Sequence, residues 1–175
     1  MSTITETTRR YSVNEVSAMA KAILKKAFPK TKFSVRGKKY SGGSSITAYW
    51  TDGPTSKQVK ALIGHLEGAS FDGMQDLKTY NDPDTAIQKD GTVVHITYGN
   101  DYMFTSRDLS QHDELKAQCL DYIRTHCAID GQAPYEKFGN EWIDTVAIRM
   151  LYASDLTNGF DIGKAFRVGV LRQEA

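Results

Sequence analysis

The run from Ser45 to Trp50 constrains the fold more than any other part of the chain. Ile46, Ala48 and Trp50 alternate there with Ser45, Thr47 and Tyr49. A period of two predicts a strand with one buried face. Such a strand needs neighbouring strands and a second layer on its apolar side, so a sheet covered by helices is expected.

Two capping boxes predict helices on either side of this strand. Ser12 and Glu15 form the first box, and apolar residues then recur at helical spacing for about four turns. Thr55 and Gln58 form the second, which opens a shorter helix. A strand over residues 33–36 is predicted between them.

The rest of the chain continues this mixture of strands and helices. Strands are predicted at 93–98 and 102–105, joined as a hairpin around residues 99–101, with helices from about 110 and over 134–153. Residues 71–84 are expected to be an excursion with a short strand at 78–80, and the tail after residue 160 is either strand or helix. The order α-β-β-α-β-β-α-α predicts an α+β fold, with helices packed against an antiparallel sheet.

Length and cysteine spacing suggest one intracellular domain. The 175 residues suit a single core, with a flexible N-terminus over residues 1–11 and one domain over 12–175. No apolar run approaches the roughly 20 residues that span a bilayer, and no secretory segment is found, so no membrane partner is expected. Cys119 and Cys127 are too far apart along a helix for a disulfide, which favours reduced thiols in a cytoplasmic protein.

Charge is distributed unevenly along the chain. Residues 1–40 contain ten basic and two acidic side chains, a net charge of +8, whereas the remainder has twelve basic and nineteen acidic side chains, a net charge of −7. This polarity either steers an anionic partner to one surface or is neutralised by acidic neighbours after folding.

The segment 38–45 is the strongest local candidate for binding. Its glycines, hydroxyls and lysines are suited to an anion, although the spacing is not that of a P-loop; the alternative is a plain hairpin connection. Tyr40, Tyr49 and Trp50 are candidates for stacking on bases. Trp50 shares its strand face with Ile46 and Ala48, which favours a core position instead.

No catalytic or metal-binding pattern is recognised. His65 and His112 each open a His-x-Glu triplet, but no Pro-Cys-x-x-Cys follows either one. Cys119 lies on an apolar helical stripe, and the aspartates of residues 72–84 lack the spacing of an EF-hand. We therefore predict no cofactor, no metal and no catalytic residue, and an enzyme is the least favoured class.

Five short motifs occur in one order and carry a resemblance to a known family. They are KFSVR at 32–36, YSGGSSI at 40–46, WTDGPT at 50–55, FDGMQD at 71–76 and the strand at 102–106. Over residues 12–125 the chain resembles the large polyvalent protein-associated domain, type twenty-nine. The resemblance implies a protein of phages or conjugative elements, with a family-like core at 12–125 and a helical extension at 126–175. It implies no particular reaction.

Two functions are predicted on these grounds. The first is a non-enzymatic accessory protein that acts by protein–protein interaction, as an inhibitor of a host defence protein or complex of the anti-CRISPR or anti-restriction type. The alternative is an accessory protein that binds DNA or RNA through the basic N-terminal region and the Gly/Ser segment. The predicted binding residues are Lys25, Lys26, Arg36, Lys38, Lys39, Tyr40, Asp101 and Tyr102.

Overall fold

A computed structural model describes residues 6–90 and 92–170 and divides them into two compact units. The first unit contains the described residues up to Trp50 together with Ser56–Ser106. The second contains Thr51–Thr55 together with the described residues from Arg107 onward. The single domain predicted over 12–175 stays a prediction, because compact units can still unfold as one cooperative domain.

Five α-helices and several small sheets form the described part of the chain, so the predicted α+β class is confirmed. In chain order the elements are β1 (Glu6–Tyr11), α1 (Val13–Ala27), β2 (Ser34–Tyr40), β3 (Gly43–Thr51), α2 (Ser56–Ile63), a 3-10 turn (Gly64–Leu66), β4 (Ala69–Asp72), β5 (Leu77–Tyr80), β6 (Asp84–Ile87), β7 (Val93–Tyr98), β8 (Tyr102–Asp108), α3 (His112–His126), β9 (Lys137–Phe138), β10 (Glu141–Trp142), α4 (Ile143–Ala153) and α5 (Ile162–Gly169).

Helix α1 begins at the predicted capping box. The Ser12 backbone N–H donates to Glu15 Oε2 at 2.8 Å, and the Glu15 backbone N–H donates back to Ser12 Oγ. The hydrogen bond from the Ser12 backbone holds the pKa of the Glu15 carboxyl below its ordinary value. The helix buries Val16, Ala20 and Leu24 completely. Local capping and the apolar stripe therefore specify this helix together.

The alternating run at 45–50 lies in the middle strand of a three-stranded sheet, ordered β2-β3-β8. Ile46, Ala48 and Trp50 point into the core of the first unit, where Met103 of β8 also lies. Trp50 is 4% exposed, which confirms the predicted core position. Helices α1 and α2 supply most of the apolar layer on this side, as the alternation predicts.

A second sheet, ordered β1-β7-β6, differs from the sequence prediction. The flexible N-terminus is predicted over residues 1–11, of which 1–5 lie outside the described residues. Glu6–Tyr11 are not flexible but form β1, which runs parallel to β7 from Glu6 opposite Val93 to Tyr11 opposite Tyr98. The sheet is therefore not purely antiparallel. β1 is almost wholly exposed, and it pairs with β7 through backbone groups. Because its side chains are not buried, the sequence shows no alternation of apolar residues there.

The predicted hairpin at 93–105 is wrong in its pairing. Both strands are present, but β7 belongs to the β1-β7-β6 sheet and β8 to the β2-β3-β8 sheet. The 99–101 loop between them bonds to other segments instead of closing a turn. The Gly99 N–H donates to the Tyr11 carbonyl at 2.8 Å, and the Asp101 N–H donates to the Ser44 carbonyl at 3.0 Å.

The predicted element order also misses several short strands. The strand expected at 78–80 is confirmed as β5, but β4 and β6 flank it, and β9 and β10 replace the first part of the helix expected at 134–153. Gly139 adopts φ 60 between β9 and β10, a conformation that suits a turn and interrupts a helix. Strands of two to four residues are too short to show a periodic signal.

The second unit is built on helices α3, α4 and α5. Cys119, Ile123, Val146 and Met150 are fully buried in its core. The undecided tail is helical as α5, which Asp161 caps by accepting from the Lys164 backbone N–H at 2.9 Å. Cys119 and Cys127 are both free thiols, as predicted.

Arg107 is a buried cation within this unit. Its guanidinium donates to the carbonyls of Asp52 at 3.1 Å and Gly53 at 2.9 Å, and more distantly to that of Tyr152. Burial lowers the pKa of Arg107. The three carbonyls satisfy a charge that would otherwise be costly to bury.

We predict that Gly68→Ala destabilises the protein by about 1–3 kcal/mol. A Cβ at this position would lie 2.5 Å from the Asn100 carbonyl oxygen and closer still to that of Tyr98, so backbone would have to shift. The free energy of unfolding, measured by urea titration, reports the change. Gly73→Ala is the matched control, because an added Cβ there meets nothing within 4 Å. Equal losses in both variants would contradict the proposed close packing at Gly68.

Candidate functional site

The outer side of the β2-β3-β8 sheet is open to solvent, and we call it the open face. Its inner side is defined by Ile46, Ala48, Trp50 and Met103, which are buried in the core. Alternate residues therefore point outward. The open face consists of Ser34, Arg36, Lys38 and Tyr40 from β2, Ser45, Thr47 and Tyr49 from β3, and Tyr102 and Phe104 from β8.

Four aromatic side chains lie on the open face. Tyr40, Tyr49 and Phe104 are 46%, 43% and 53% exposed, and Tyr102 is half-buried. The rings of Tyr102 and Phe104 are 6.2 Å apart between centroids and tilted by 38°. Aromatic rings are usually buried, so four exposed or half-buried rings on one sheet surface indicate a contact surface.

Strand β2 brings two cations to the open face. Arg36 and Lys38 are exposed, and neither forms an ion pair with any residue that the structure describes. The Arg36 Nε–H donates to Ser34 Oγ at 3.2 Å, which leaves the rest of its guanidinium free. No Asp or Glu occurs between Lys30 and Trp50. The surface therefore favours an anionic partner.

Backbone register separates the two neighbouring lysines of β2. Lys38 is opposite Ser45, and both point outward, whereas Lys39 is opposite Ser44 and belongs to the other side of the sheet. Helix α1 packs on that other side, since a Cβ at Gly37 would meet Val13. Both lysines are nevertheless exposed.

The predicted binding residues are thus partly brought together. Arg36, Lys38, Tyr40 and Tyr102 share the open face. Lys25 and Lys26 are exposed in the last turn of α1, away from it. Tyr49 was predicted only as a residue that stacks on bases. Phe104 was not predicted, although the alternation of Tyr102, Met103 and Phe104 along β8 indicates that Phe104 points outward.

Asp101 occupies a structural position. Its Oδ2 accepts from the Ser44 backbone N–H at 2.7 Å, its Oδ1 pairs with Lys78 Nζ at 2.8 Å, and the residue is 7% exposed. The hydrogen bond to Asp101 raises the pKa of Lys78. The carboxylate therefore takes one of the backbone N–H groups on which the predicted anion site in segment 38–45 depended, and its charge repels an anion there.

The other chemical candidates find little support. Among residues 6–90 and 92–170, no group of His, Cys, Asp and Glu is arranged to hold a metal ion. Burial raises the pKa of the Cys119 thiol to about 11, so this thiol is protonated and unreactive near neutral pH. In the same part of the chain no helix is both long and apolar enough to cross a bilayer.

We predict that Asp101→Ala lowers the free energy of unfolding by about 1–3 kcal/mol, because it leaves the buried Ser44 N–H without an acceptor. Asp101→Asn retains an acceptor and should lose less. Asp82→Ala is the control, since Asp82 is exposed and forms no hydrogen bond with any described residue; a change within about 0.5 kcal/mol is expected there. Thermal or urea unfolding that is insensitive to Asp101→Ala would remove Asp101 from this structural role.

A family model described as large polyvalent protein associated domain 29 matches residues 11–110. The matched span contains α1, the whole open face and the 99–101 loop, and it ends before the second unit's helices. No curated protein and no solved structure matches the chain. Membership of this family associates the protein with phages and other mobile genetic elements. Because the match covers more than half of the chain and confirms the resemblance in its motifs, the chain belongs to the large polyvalent protein associated domain 29 family.

Proposed function

We propose that this chain is an accessory protein of a phage or mobile element that binds single-stranded nucleic acid through the open face. The observation that carries the proposal is the coincidence of exposed aromatic rings with Arg36 and Lys38 on one sheet surface, to which β2 and β3 contribute no carboxylate. Aromatic side chains that stack on bases, next to cations that contact phosphates, are the shared features of sheet surfaces that bind single strands.

Stacking explains why a single strand fits better than a duplex. The faces of paired bases are covered by their neighbours in a double helix, whereas an unpaired base can lie flat on a ring such as Phe104 or Tyr49. Each such contact contributes about 1–3 kcal/mol and tolerates any base. The cations add a salt-dependent term for each phosphate that they neutralise. Binding with little sequence preference is therefore expected.

A second candidate function is inhibition of a host defence protein or complex, of the anti-CRISPR or anti-restriction type. The β4–β5 hairpin supports it. Met74 at its tip is 97% exposed, and Phe71 and Leu77 beside it are each more than half exposed. Strand register places Phe71 and Leu77 on opposite faces of this hairpin, so apolar side chains are exposed on both faces and at the tip, and exposed apolar side chains are typical of protein–protein contacts.

The strand-binding proposal predicts a matched difference between adjacent lysines. In fluorescence-anisotropy titrations with labelled single-stranded DNA and RNA, Lys38→Gln should reduce the slope of log affinity against log salt by about 1, because one phosphate contact is lost. Lys39→Gln has the same charge change on the other side of the sheet and should have a smaller effect. Phe104→Ala should weaken binding by about 1–3 kcal/mol.

The controls for this titration come from the same chain. Ile87 is 75% exposed on β6, so Ile87→Ala removes a comparable exposed apolar side chain outside the open face and should leave affinity unchanged. Absence of binding even at low salt would refute the proposal. Equal effects of Lys38→Gln and Lys39→Gln would show that general charge, and not the open face, governs binding.

The defence-inhibitor candidate predicts that the protein slows DNA cleavage by a purified CRISPR or restriction complex of the host. Met74→Asp should abolish that inhibition, because a charge at the hairpin tip cannot be buried in a contact without a large desolvation cost. Tyr135→Asp, at a side chain that is 71% exposed in the second unit, is the control. Cleavage rates unaffected by the wild-type protein across the available complexes would contradict this candidate.

A further inference from the structure

The first unit contains a cleft of about 400 Å³ that is separate from the open face. Its walls come from the ends of β1 and β7 on one side and from the exit of β5 on the other. It is lined by Arg10, Glu67, Gly68, Tyr80, Asn81, Asp82, Ile96, Thr97, Tyr98 and Asp101. None of these residues belongs to the open face.

The frame of the cleft is held by backbone hydrogen bonds. The Gly68 N–H donates to the Asn100 carbonyl at 2.9 Å. Asn81 is attached twice, since its backbone N–H donates to the Gly68 carbonyl at 3.0 Å and its Nδ2 donates to the Glu67 carbonyl at 2.9 Å. A frame that is fixed before binding loses little conformational freedom when a small ligand enters.

Several polar groups around the cleft already have partners. Both carboxylate oxygens of Asp101 are engaged, by Ser44 and Lys78, and the Glu67 carboxylate accepts from the Met103 N–H at 2.8 Å. The Tyr98 hydroxyl donates to Asp84 Oδ2 at 2.8 Å. Burial, together with this hydrogen bond, raises the pKa of Tyr98 to about 12, so its phenol stays neutral.

Arg10, Asp82 and Tyr80 are lining residues that are available to a ligand. The side chains of Arg10 and Asp82 are exposed, and neither has an ion-pair partner among the described residues. Tyr80 is 69% exposed, and Lys78 Nζ lies over its ring, 4.7 Å from the centroid. The cleft thus presents a free guanidinium, a free carboxylate and an accessible aromatic ring beside a held ammonium.

We infer that this cleft binds a single nucleotide. The Arg10 guanidinium is suited to the phosphate, which it can contact through two N–H donors. The Tyr80 ring offers a surface on which the base stacks. The Asp82 carboxylate accepts from a ribose hydroxyl or a base amino group. This combination recognises an anion, a flat ring and a hydrogen-bond donor in one ligand of the size that the cleft admits.

The inference goes beyond strand binding by the open face, because it assigns a second site with residues of its own. A free amino acid would also offer an anion and a donor, and a peptide cation would use Asp82 alone. Neither would use an exposed tyrosine ring and a guanidinium together as a nucleotide does. Binding of a free amino acid or of a peptide cation is therefore an outcome that the test distinguishes and not part of the proposal.

The test is a titration of the full chain with the 5′-monophosphates of adenosine, guanosine, cytidine and uridine. Binding is measured by changes in amide NMR chemical shifts and by calorimetry. At least one nucleotide should bind saturably with a dissociation constant below about 1 mM. Arg10→Gln should weaken it about tenfold or more. Arg9→Gln is the matched control, because Arg9 does not line the cleft and its guanidinium lies 4.5 Å from the Tyr11 ring centroid.

Further arms of the titration separate the contributions to binding. Tyr80→Ala should weaken nucleotide binding about fivefold or more, and inorganic phosphate or glycine alone should compete poorly. Phe104→Ala should leave nucleotide binding unchanged although it weakens strand binding, so the two sites succeed or fail separately.

Four results would overturn the inference. The first two are no saturable binding of any nucleotide at millimolar concentration and equal effects of Arg10→Gln and Arg9→Gln. The other two are competition by phosphate, or competition by glycine, that is as strong as competition by a nucleotide. The variants alter exposed side chains, and an unchanged far-UV CD spectrum confirms that they fold.

Discussion

The first unit depends on the hydrogen bonds of the 99–101 loop. This short segment joins β1 through the Tyr11 carbonyl, β3 through Ser44, and β4 through the Ala69 N–H, which donates to the Asp101 carbonyl at 3.1 Å. The Ser44 hydroxyl donates to the Gly99 carbonyl at 3.0 Å as well. Elements that belong to three different sheets are therefore fixed to one loop, and buried bonds of this kind cost most when a single partner is removed.

The same loop places both candidate sites. Tyr98 and Asp101 line the cleft, and Tyr102, the next residue, begins the strand that brings two aromatic rings to the open face. Asn100, between them, is fully buried, and its side-chain amide finds no partner among the described residues. An unpaired buried amide costs about 1–3 kcal/mol, so the loop combines strong bonds with one unfavourable group.

Prediction from sequence succeeded where a local pattern has a single physical cause. The Ser12–Glu15 capping box, the alternation that buries Trp50, and the strand within residues 78–80 are all present. The same alternation places Tyr49 outward. Prediction failed for β1, whose polar side chains carry no period, and for the pairing of β7 and β8. A short loop between two strands favours a hairpin, but here its polar groups are bound by distant segments.

The sequence alone determined the α+β class, the family motifs, the concentration of positive charge before residue 40, and which side of β3 faces the core. These are local or compositional properties, so neighbouring residues suffice to encode them. Three facts were decided only by the tertiary structure. Lys38 and Lys39 lie on opposite sides of the sheet and have different neighbours, and Phe104 lies on the same surface as Tyr102 and Arg36. Asp101 is buried and accepts a hydrogen bond from the Ser44 backbone N–H. Those facts depend on strand register and on contacts between residues more than fifty positions apart, which no local pattern records.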